Sequence, residues 1–396
     1  MNHIAIMIPG IDRLGGAERQ AIALAKGLRR RGWCVTMIAL TGTGGSAVAD
    51  LHDHGVAFLS LEMRKGIVDP RGWIRFNRWL WNERPDVLHA HLPHAAWFSR
   101  WSRLAAPVPV VVDTLHSSSV GPPARRFGYA LSKRLTDHVS AVSQAVADTH
   151  LAASLVLPDR FSILTNGLEV EAWQPDARTR LIQRNQLGWS NDFVWIAVGR
   201  LEAVKDYPTM LAALARSPQS ARLLILGAGS LESELALLTA DLGIEQRVRF
   251  LGFEPDVWRW MQLADAFLHS SLYEGLPMVL LEAGASQLPV VATDVSGTRE
   301  VIVNGENGWL ARAGDPQALA DVMRQMMQLP LEERHAMGLR AWQRIARQFS
   351  MDAVLDSWEQ LYENLLYDDL LRWKGHPWRA RLAARDNLNR QRAASV

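Results

Sequence analysis

Short apolar runs alternate with helix-period segments along almost the whole chain, and no other feature narrows its possible folds so far. A strand followed by a crossover helix returns parallel to its neighbour, so repeated alternation gives parallel sheets covered by helices on both faces. The first unit sets the pattern. Ile4 to Ile8 reads as a buried strand and Pro9 to Gly16 as a loop; Ala21, Leu24, Ala25 and Leu28 then share one helix face, with Gly32 at the C-terminal cap position. Further strands are predicted at Val35–Leu40, Ala57–Leu61, Val87–Ala90, Val108–Val112, Val139–Val142 and Phe161–Leu164. A polar stretch, Glu169 to Arg180, interrupts the alternation, which resumes at Phe193–Val198, Leu223–Leu226, Val248–Leu251, Ala266–His269 and Val290–Ala292. From about Pro316 the pattern is helical.

The expected fold class is therefore α/β, with two Rossmann-like doubly wound domains. Residues 1–168 form the first domain, 169–180 the linker, 181–350 the second domain, and 351–396 a terminal helix and basic tail. The 396 residues suit two domains of roughly 150–200 residues each. Ligands of such sheets bind beyond the carboxyl ends of the strands, so the expected site is the cleft between the domains.

Several classes are excluded or disfavoured. No apolar run approaches the roughly 20 residues of a membrane-spanning helix, and Ile4–Ile8 is too short for a signal-peptide core. The single cysteine, Cys34, rules out an internal disulfide framework, suits a cytoplasmic location and is expected to be a small buried hydrophobe. The net charge of +2 hides an asymmetry: +6 over residues 1–180, −8 over 181–366 and +4 over 367–396. One lobe is thus suited to an anionic surface. Cations and aromatics form no recognised nucleic-acid motif, so nucleic acid is not an expected partner.

The candidate chemistry lies in loops that follow strands. Gly15-Gly16 precedes the first helix, where a bare backbone and a helix N-terminus favour an anion; a simple turn is the plain alternative. Gly227-Ala228-Gly229 lacks the third glycine of a dinucleotide fingerprint, with Glu232 in its place. Arg200 and Lys205 flank a loop mouth and could converge on a diphosphate, or could be solvated surface cations. Glu274 stands just before a helix that Pro277 opens, and Glu282 lies about two turns further on. Carboxylates accept hydrogen bonds from sugar and ribose hydroxyls, and the amides at 276–279 suit an anion; otherwise one glutamate is a cap and the other solvated. His116 follows the strand at Val110–Asp113 and is, as a lone histidine, more often structural.

Together these motifs resemble the GT-B retaining glycosyltransferases of family 4, the glycosyl transferases group 1, from residue 1 to about 366. Glu274 to Glu282 matches that family's E-x7-E signature. Its flanks match at Ala283–Ser286, Leu288–Asp294 and Gly305–Gly308, and further matches are Gly199–Lys205, Gly15–Glu18 and Asn166-Gly167. The resemblance implies an enzyme of the hexosyltransferase type, with a UDP- or GDP-sugar donor and a glycan or polyprenyl-linked acceptor in bacterial envelope polysaccharide synthesis. It implies Arg200 and Lys205 on the diphosphate, Glu274 and His116 at the transferred sugar and Glu282 on the ribose. Amides from Gly275 through Leu276, Pro277 and Val279 would meet sugar and phosphates, and Gly16 would let the first domain close over the diphosphate. With no D-x-D in the sequence, no metal site and no cofactor are expected. The alternative is a catalytically silent partner of an assembly complex, which would be expected to lose Arg200, Lys205 or Glu274. Gln287, Asp206 and Ser296 depart from the family pattern by replacing frequent glycines.

Two basic stretches suggest peripheral binding to the inner face of the cytoplasmic membrane. Residues 124–135 place Phe127, Leu131 and Leu135 on one helical face beside Arg125, Arg126, Lys133 and Arg134. Residues 71–81 combine Arg71, Arg75 and Arg78 with Trp73, Trp79 and Trp81. The tail adds Arg372, Trp373, Lys374, Trp378, Arg379, Arg381 and Arg385. The opposing expectation is that these apolar faces pack on the sheet.

Overall fold

The computed structural model describes residues 2–12, 14–64 and 69–372. Its first sheet contains β1 (His3–Gly10), β2 (Cys34–Thr41), β3 (Ala57–Ser60), β4 (Val87–His91), β5 (Val110–Leu115), β6 (His138–Ala141) and β7 (Phe161–Ile163), in the order β3-β2-β1-β4-β5-β6-β7. The second contains β8 (Phe193–Val198), β9 (Ala221–Leu226), β10 (Val248–Gly252), β11 (Ala266–His269), β12 (Val290–Thr293) and β13 (Gly308–Ala311), in the order β10-β9-β8-β11-β12-β13. All neighbouring strands run parallel. In the first half the helices are α1 (Gly16–Arg30), α2 (Gly45–Asp53), α3 (Pro70–Glu83), α4 (Pro93–Ser102), α5 (Pro123–Ser132) and α6 (Gln144–Ala152). They continue with α7 (Ala177–Leu187), α8 (Tyr207–Ala215), α9 (Glu232–Asp241), α10 (Val257–Met261), α11 (Met278–Ala285) and α12 (Ser296–Val301), then α13 (Pro316–Gln328), α14 (Leu331–Gln348) and α15 (Met351–Arg372).

Each sheet reverses direction once, between β1 and β4 and between β8 and β11. The loops beyond these strands open at the switch points where doubly wound sheets hold ligands. The helix stripe that identified α1 is buried in full, and Gly32 adopts φ +94° just past its end. Strand β5 begins two residues later than expected and continues through Asp113 and Thr114. Apolar pattern cannot reveal such a strand, because its polar residues are matched by buried partners: Arg100 Nε donates to Asp113 Oδ2 at 2.7 Å, both side chains fully buried. The edge strand β13 was not anticipated; it is four residues long and pairs only with β12.

The polar stretch at 169–180 is folded. It holds a 3-10 turn at Val170–Trp173 and the start of α7, whose Arg180 and Arg184 both grip Asp265, at 2.7 and 2.5 Å. Cys34 is exposed, contrary to expectation, because it is the first residue of β2, at the mouth of the sheet. Helix α15 leaves the second half and packs on the first: Met351, Val354, Leu355, Trp358 and Tyr362 join the core that α1 and β1 bury. Leu355 lies so close to Gly27 that a Cβ there would stand 2.6 Å away. The two chain crossings between the halves are themselves paired. Leu168 N–H donates to Phe349 O and Met351 N–H to Leu168 O, both at 2.8 Å.

On α5, Phe127 and Leu131 are 70% and 60% exposed, while Tyr129 and Ser132 face inward. Of the expected face, Phe127 and Leu131 therefore do not pack on the sheet, and Leu135, past the end of α5, is half-buried; on α3, Trp73 and Trp79 do pack against the core. Ile74 and Trp81 of α3 and Trp97 of α4 are exposed as well. Among the described residues no helix is long and apolar enough to cross a membrane. The tail residues from Trp373 onward lie outside the described residues.

Candidate functional site

The loop after β8 turns through Gly199, Arg200 and Leu201 into a short 3-10 turn ending at Lys205. It is clamped from behind, since a Cβ on Gly227 would lie 1.9 Å from Gly199 O and one on Gly229 2.3 Å from Leu201 O. Only glycine allows this approach. The loop is also tied to the loop after β11, through Leu272 N–H to Val204 O at 2.9 Å and Ser270 Oγ to Lys205 O at 2.7 Å. Asp206, at φ +48°, stands where a glycine would be unstrained, and its carboxylate accepts from Thr209 N–H at the start of α8.

These ties bring two predicted residues together. Lys205 Nζ donates to Glu274 Oε1 at 2.5 Å. The same oxygen accepts from Ser271 Oγ at 2.7 Å and His269 Nε2 at 3.2 Å. Burial pushes the Glu274 carboxyl up, but its bonds to His269 and Lys205 prevail and hold it at about 2. Burial also lowers His269, so at neutral pH His269 serves as an N–H donor and Lys205 supplies the positive charge. Arg200 is exposed, and its side chain makes no hydrogen bond or ion pair among the described residues.

Glu282 lies on α11, half-buried, and its carboxylate has no hydrogen-bond or ion-pair partner among the described residues. Burial raises its carboxyl to about 7, against the opposing pull of Arg19. Arg19 belongs to the first turn of α1, which Gly15 and Gly16 open, so this helix start of the first half acts electrostatically on Glu282 of the second. A Cβ on Gly16 would meet nothing within 4 Å, which leaves open space at this helix start. Glu18 Oε2 accepts from Gly15 N–H at 3.2 Å and closes the cap.

His116 reaches the other side of the Glu274 loop. A Cβ on Gly275 would be 2.9 Å from His116 O, so the glycine permits contact between the halves. The His116 ring bonds His91 across 2.9 Å and, being buried, is lowered to about 4 and neutral at pH 7. Leu276 and Pro277 are buried, and Val279 lies on the first turn of α11. A second tie between the halves runs from Gln144 N–H, at the start of α6, to Glu300 Oε1 of α12 at 2.8 Å.

The structure thus gathers Lys205, Glu274, Gly275 and His116, places Arg200 beside them on the loop, and sets Glu282 within the electrostatic reach of Arg19. Sequence reasoning missed Gly297, where a Cβ would be 2.6 Å from Gly275 O, and also Arg19 and His91. A glycine after a predicted strand could have marked the first. His89-x-His91 on a buried strand, both side chains on one face, could have marked the last.

Comparisons with known proteins bear on the family and the fold. The family described as Glycosyl transferases group 1 matches residues 179–344, and Glycosyltransferase Family 4 matches residues 14–172. The N-acetyl-alpha-D-glucosaminyl L-malate synthase of Bacillus anthracis is 30% identical over 303 residues, covering 72% of this chain and 77% of that protein. The lipopolysaccharide core biosynthesis glycosyltransferase LpsE of Rhizobium meliloti is 28% identical over 352 residues, covering 88% and 95%. Among solved structures, Anabaena HepE in complex with UDP superposes with a TM-score of 0.79 at 22% identity, covering 92% of this chain and 100% of that one.

Proposed function

The chain belongs to the group 1 glycosyltransferases, with their two-domain GT-B fold, and from that premise we propose that it is a retaining transferase that moves a sugar from a UDP-sugar to a lipid-linked glycan. The observation that carries this reading is the Lys205–Glu274 pair, set on the same loop as an exposed Arg200 and next to Gly275, which meets His116 of the first half. When the bond between the sugar and the diphosphate breaks, negative charge builds on the departing phosphate oxygen. Arg200 and Lys205 are the cations in place to stabilise it. The ionised Glu274 accepts from hydroxyls of the sugar, and the unpartnered Glu282 accepts from the ribose. Retention follows if the acceptor oxygen attacks from the face the diphosphate leaves, its proton passing to the departing phosphate oxygen.

UDP is favoured as the nucleotide because HepE, of the same fold, was solved with UDP and with UDP-glucose. A lipid-linked acceptor is favoured by the lipopolysaccharide role in the name of LpsE and by the exposed Phe127 and Leu131 among cations on the first half. That surface suits the inner face of the cytoplasmic membrane. The decisive experiment is a thermal-shift panel of UDP-, GDP- and ADP-sugars, followed by turnover in EDTA. A UDP-sugar should raise the melting temperature by mass action, and turnover should persist without metal. Stabilisation by a GDP- or ADP-sugar instead would replace the nucleotide. Loss of turnover restored by Mg²⁺ would mean that Arg200 and Lys205 do not suffice.

A further inference from the structure

Beneath His116 lies a buried chain of polar groups whose hydrogen-bond direction can be read from its ends. Tyr362 Oη, from α15, bonds His89 Nδ1 at 2.7 Å; His89 Nε2 bonds Thr114 Oγ1 at 2.7 Å; Thr114 Oγ1 bonds Ser140 Oγ at 2.8 Å; and Ser140 Oγ donates to Asp113 O at 3.4 Å. All four side chains are buried. A carbonyl can only accept, so the Ser140 proton points to Asp113, and Thr114 donates to Ser140. His89 then donates from Nε2 and accepts at Nδ1 from Tyr362. The reverse order would leave the Tyr362 hydroxyl as a buried donor with no acceptor, at the full cost of its desolvation.

Both nitrogens of His89 are therefore taken. Its ring lies against His91, with centroids 4.2 Å apart, but offers it no hydrogen bond. His91 Nδ1 bonds only His116 Nε2, at 2.9 Å, and the outer nitrogens, His91 Nε2 and His116 Nδ1, are buried without partners. Two neutral histidines share one proton across their bond, so one outer nitrogen carries an unsatisfied N–H. On His91 that N–H would stay inside β4, which is paired on both sides with β1 and β5. On His116 it lies, buried and unpartnered, on the loop whose carbonyl stands against Gly275, at the contact between the halves. The backbone supports this placement at a cost. Leu92, directly after His91, adopts φ +72° and ψ 153°, a region that residues with a Cβ avoid unless the surroundings impose it.

We propose that His91 is a positioning residue whose Nδ1–H donates to His116 Nε2, holding His116 as the Nδ1–H tautomer that presents a donor to the transferred sugar. The inference rests on the donor reading above for the sugar, but not for the tautomer. The experiment is a long-range ¹H–¹⁵N spectrum of histidine-labelled full-length protein at neutral pH without ligand, with the His116 signals assigned from a His116→Gln sample. Wild type should show the Nδ1–H pattern for His116. His91→Leu should lose that single pattern and lower kcat for UDP release by about tenfold, measured with the UDP-sugar that most stabilises wild type, while KM for that sugar stays within about twofold. His91→Asn carries an amide near the place of Nδ1, and should keep the tautomer and recover most of kcat. An Nε2–H pattern in wild type overturns the proposal without any variant or donor. So does an Asn variant as slow as the Leu variant, or a Leu variant with wild-type kcat.

Discussion

At the scale of single residues, the cations of the donor loop differ in a way the sequence did not reveal. Both were expected at the cleft mouth, free of structural duty. Arg200 is, but Lys205 is the charge partner of a buried Glu274. Arg200→Ala should lower turnover or donor affinity by tenfold to a hundredfold, from roughly 1.5–3 kcal/mol of lost charge-assisted bonding, and leave melting unchanged. Lys205→Ala should cost as much activity and also about 1–3 kcal/mol of stability, because it strands a buried carboxylate. Steady-state kinetics and calorimetry on both variants check this, and equal melting would contradict the pairing. Glu282 gives the opposite sign. Its carboxyl lies at about 7 in the fold against an ordinary 4.5, so the fold binds its proton more tightly than the unfolded chain does. Its penalty is absent below about pH 4.5, grows as pH rises through 7, and is complete above that. Glu282→Gln should therefore stabilise the ligand-free protein at pH 8 by about 1–2 kcal/mol and do far less at pH 5. The same change should weaken UDP binding. Melting curves at the two pH values and UDP titration are the measurements, and an equal gain at both pH values would remove the buried-charge explanation.

At the scale of elements, the buried parallel strands were legible because a strand covered on both faces must be almost wholly apolar. Legibility ended where polar residues satisfy one another out of sequence. Thr114 and Asp113 hid the end of β5 because their partners come from β4, β6 and α4. The E-x7-E helix was legible, but the contact of Gly275 with His116 was not, since nothing in one strand–loop unit tells how closely another approaches. Two of the noted glycine replacements carry real strain: Asp206 at φ +48° and Gln287 at φ +57°, while Ser296 opens α12 without it. Gln287 stands one residue past the C-cap of the helix that bears Glu282, and its side chain makes no hydrogen bond among the described residues. Gln287→Gly should relieve about 1 kcal/mol and raise the melting temperature by about 2–4 °C in a chain of this size. A lower melting temperature in differential scanning would show that the Gln287 side chain stabilises more than its backbone costs.

At the scale of the molecule, charge and exposed apolar side chains coincide. The half with +6 also carries Ile74, Trp81, Trp97, Phe127 and Leu131 in the open, while residues 181–366 carry −8. Binding to anionic liposomes should be strong at low salt and released as the screening length falls toward about 3 Å at 1 M. Replacing Arg125, Arg126, Lys133 and Arg134 with Ser should weaken flotation without altering UDP affinity. Equal flotation with neutral and anionic liposomes, or none with either, would point to a soluble acceptor.

The pairing of Leu168 with Phe349 and Met351 bears on how such a molecule can move. Two strands of chain pass between the halves, and they do so at one spot, bonded to each other. A single tether would allow the halves to twist and slide, and two tethers far apart would lock them. Two joined at a point share one pivot, which favours rotation of the halves about it over sliding. Gly167 sits against that pin, where a Cβ would come within 3.1 Å of Met351 Cα. The contact between His116 and Gly275 then changes with rotation about that pivot. A ligand that bridges the halves would limit that rotation.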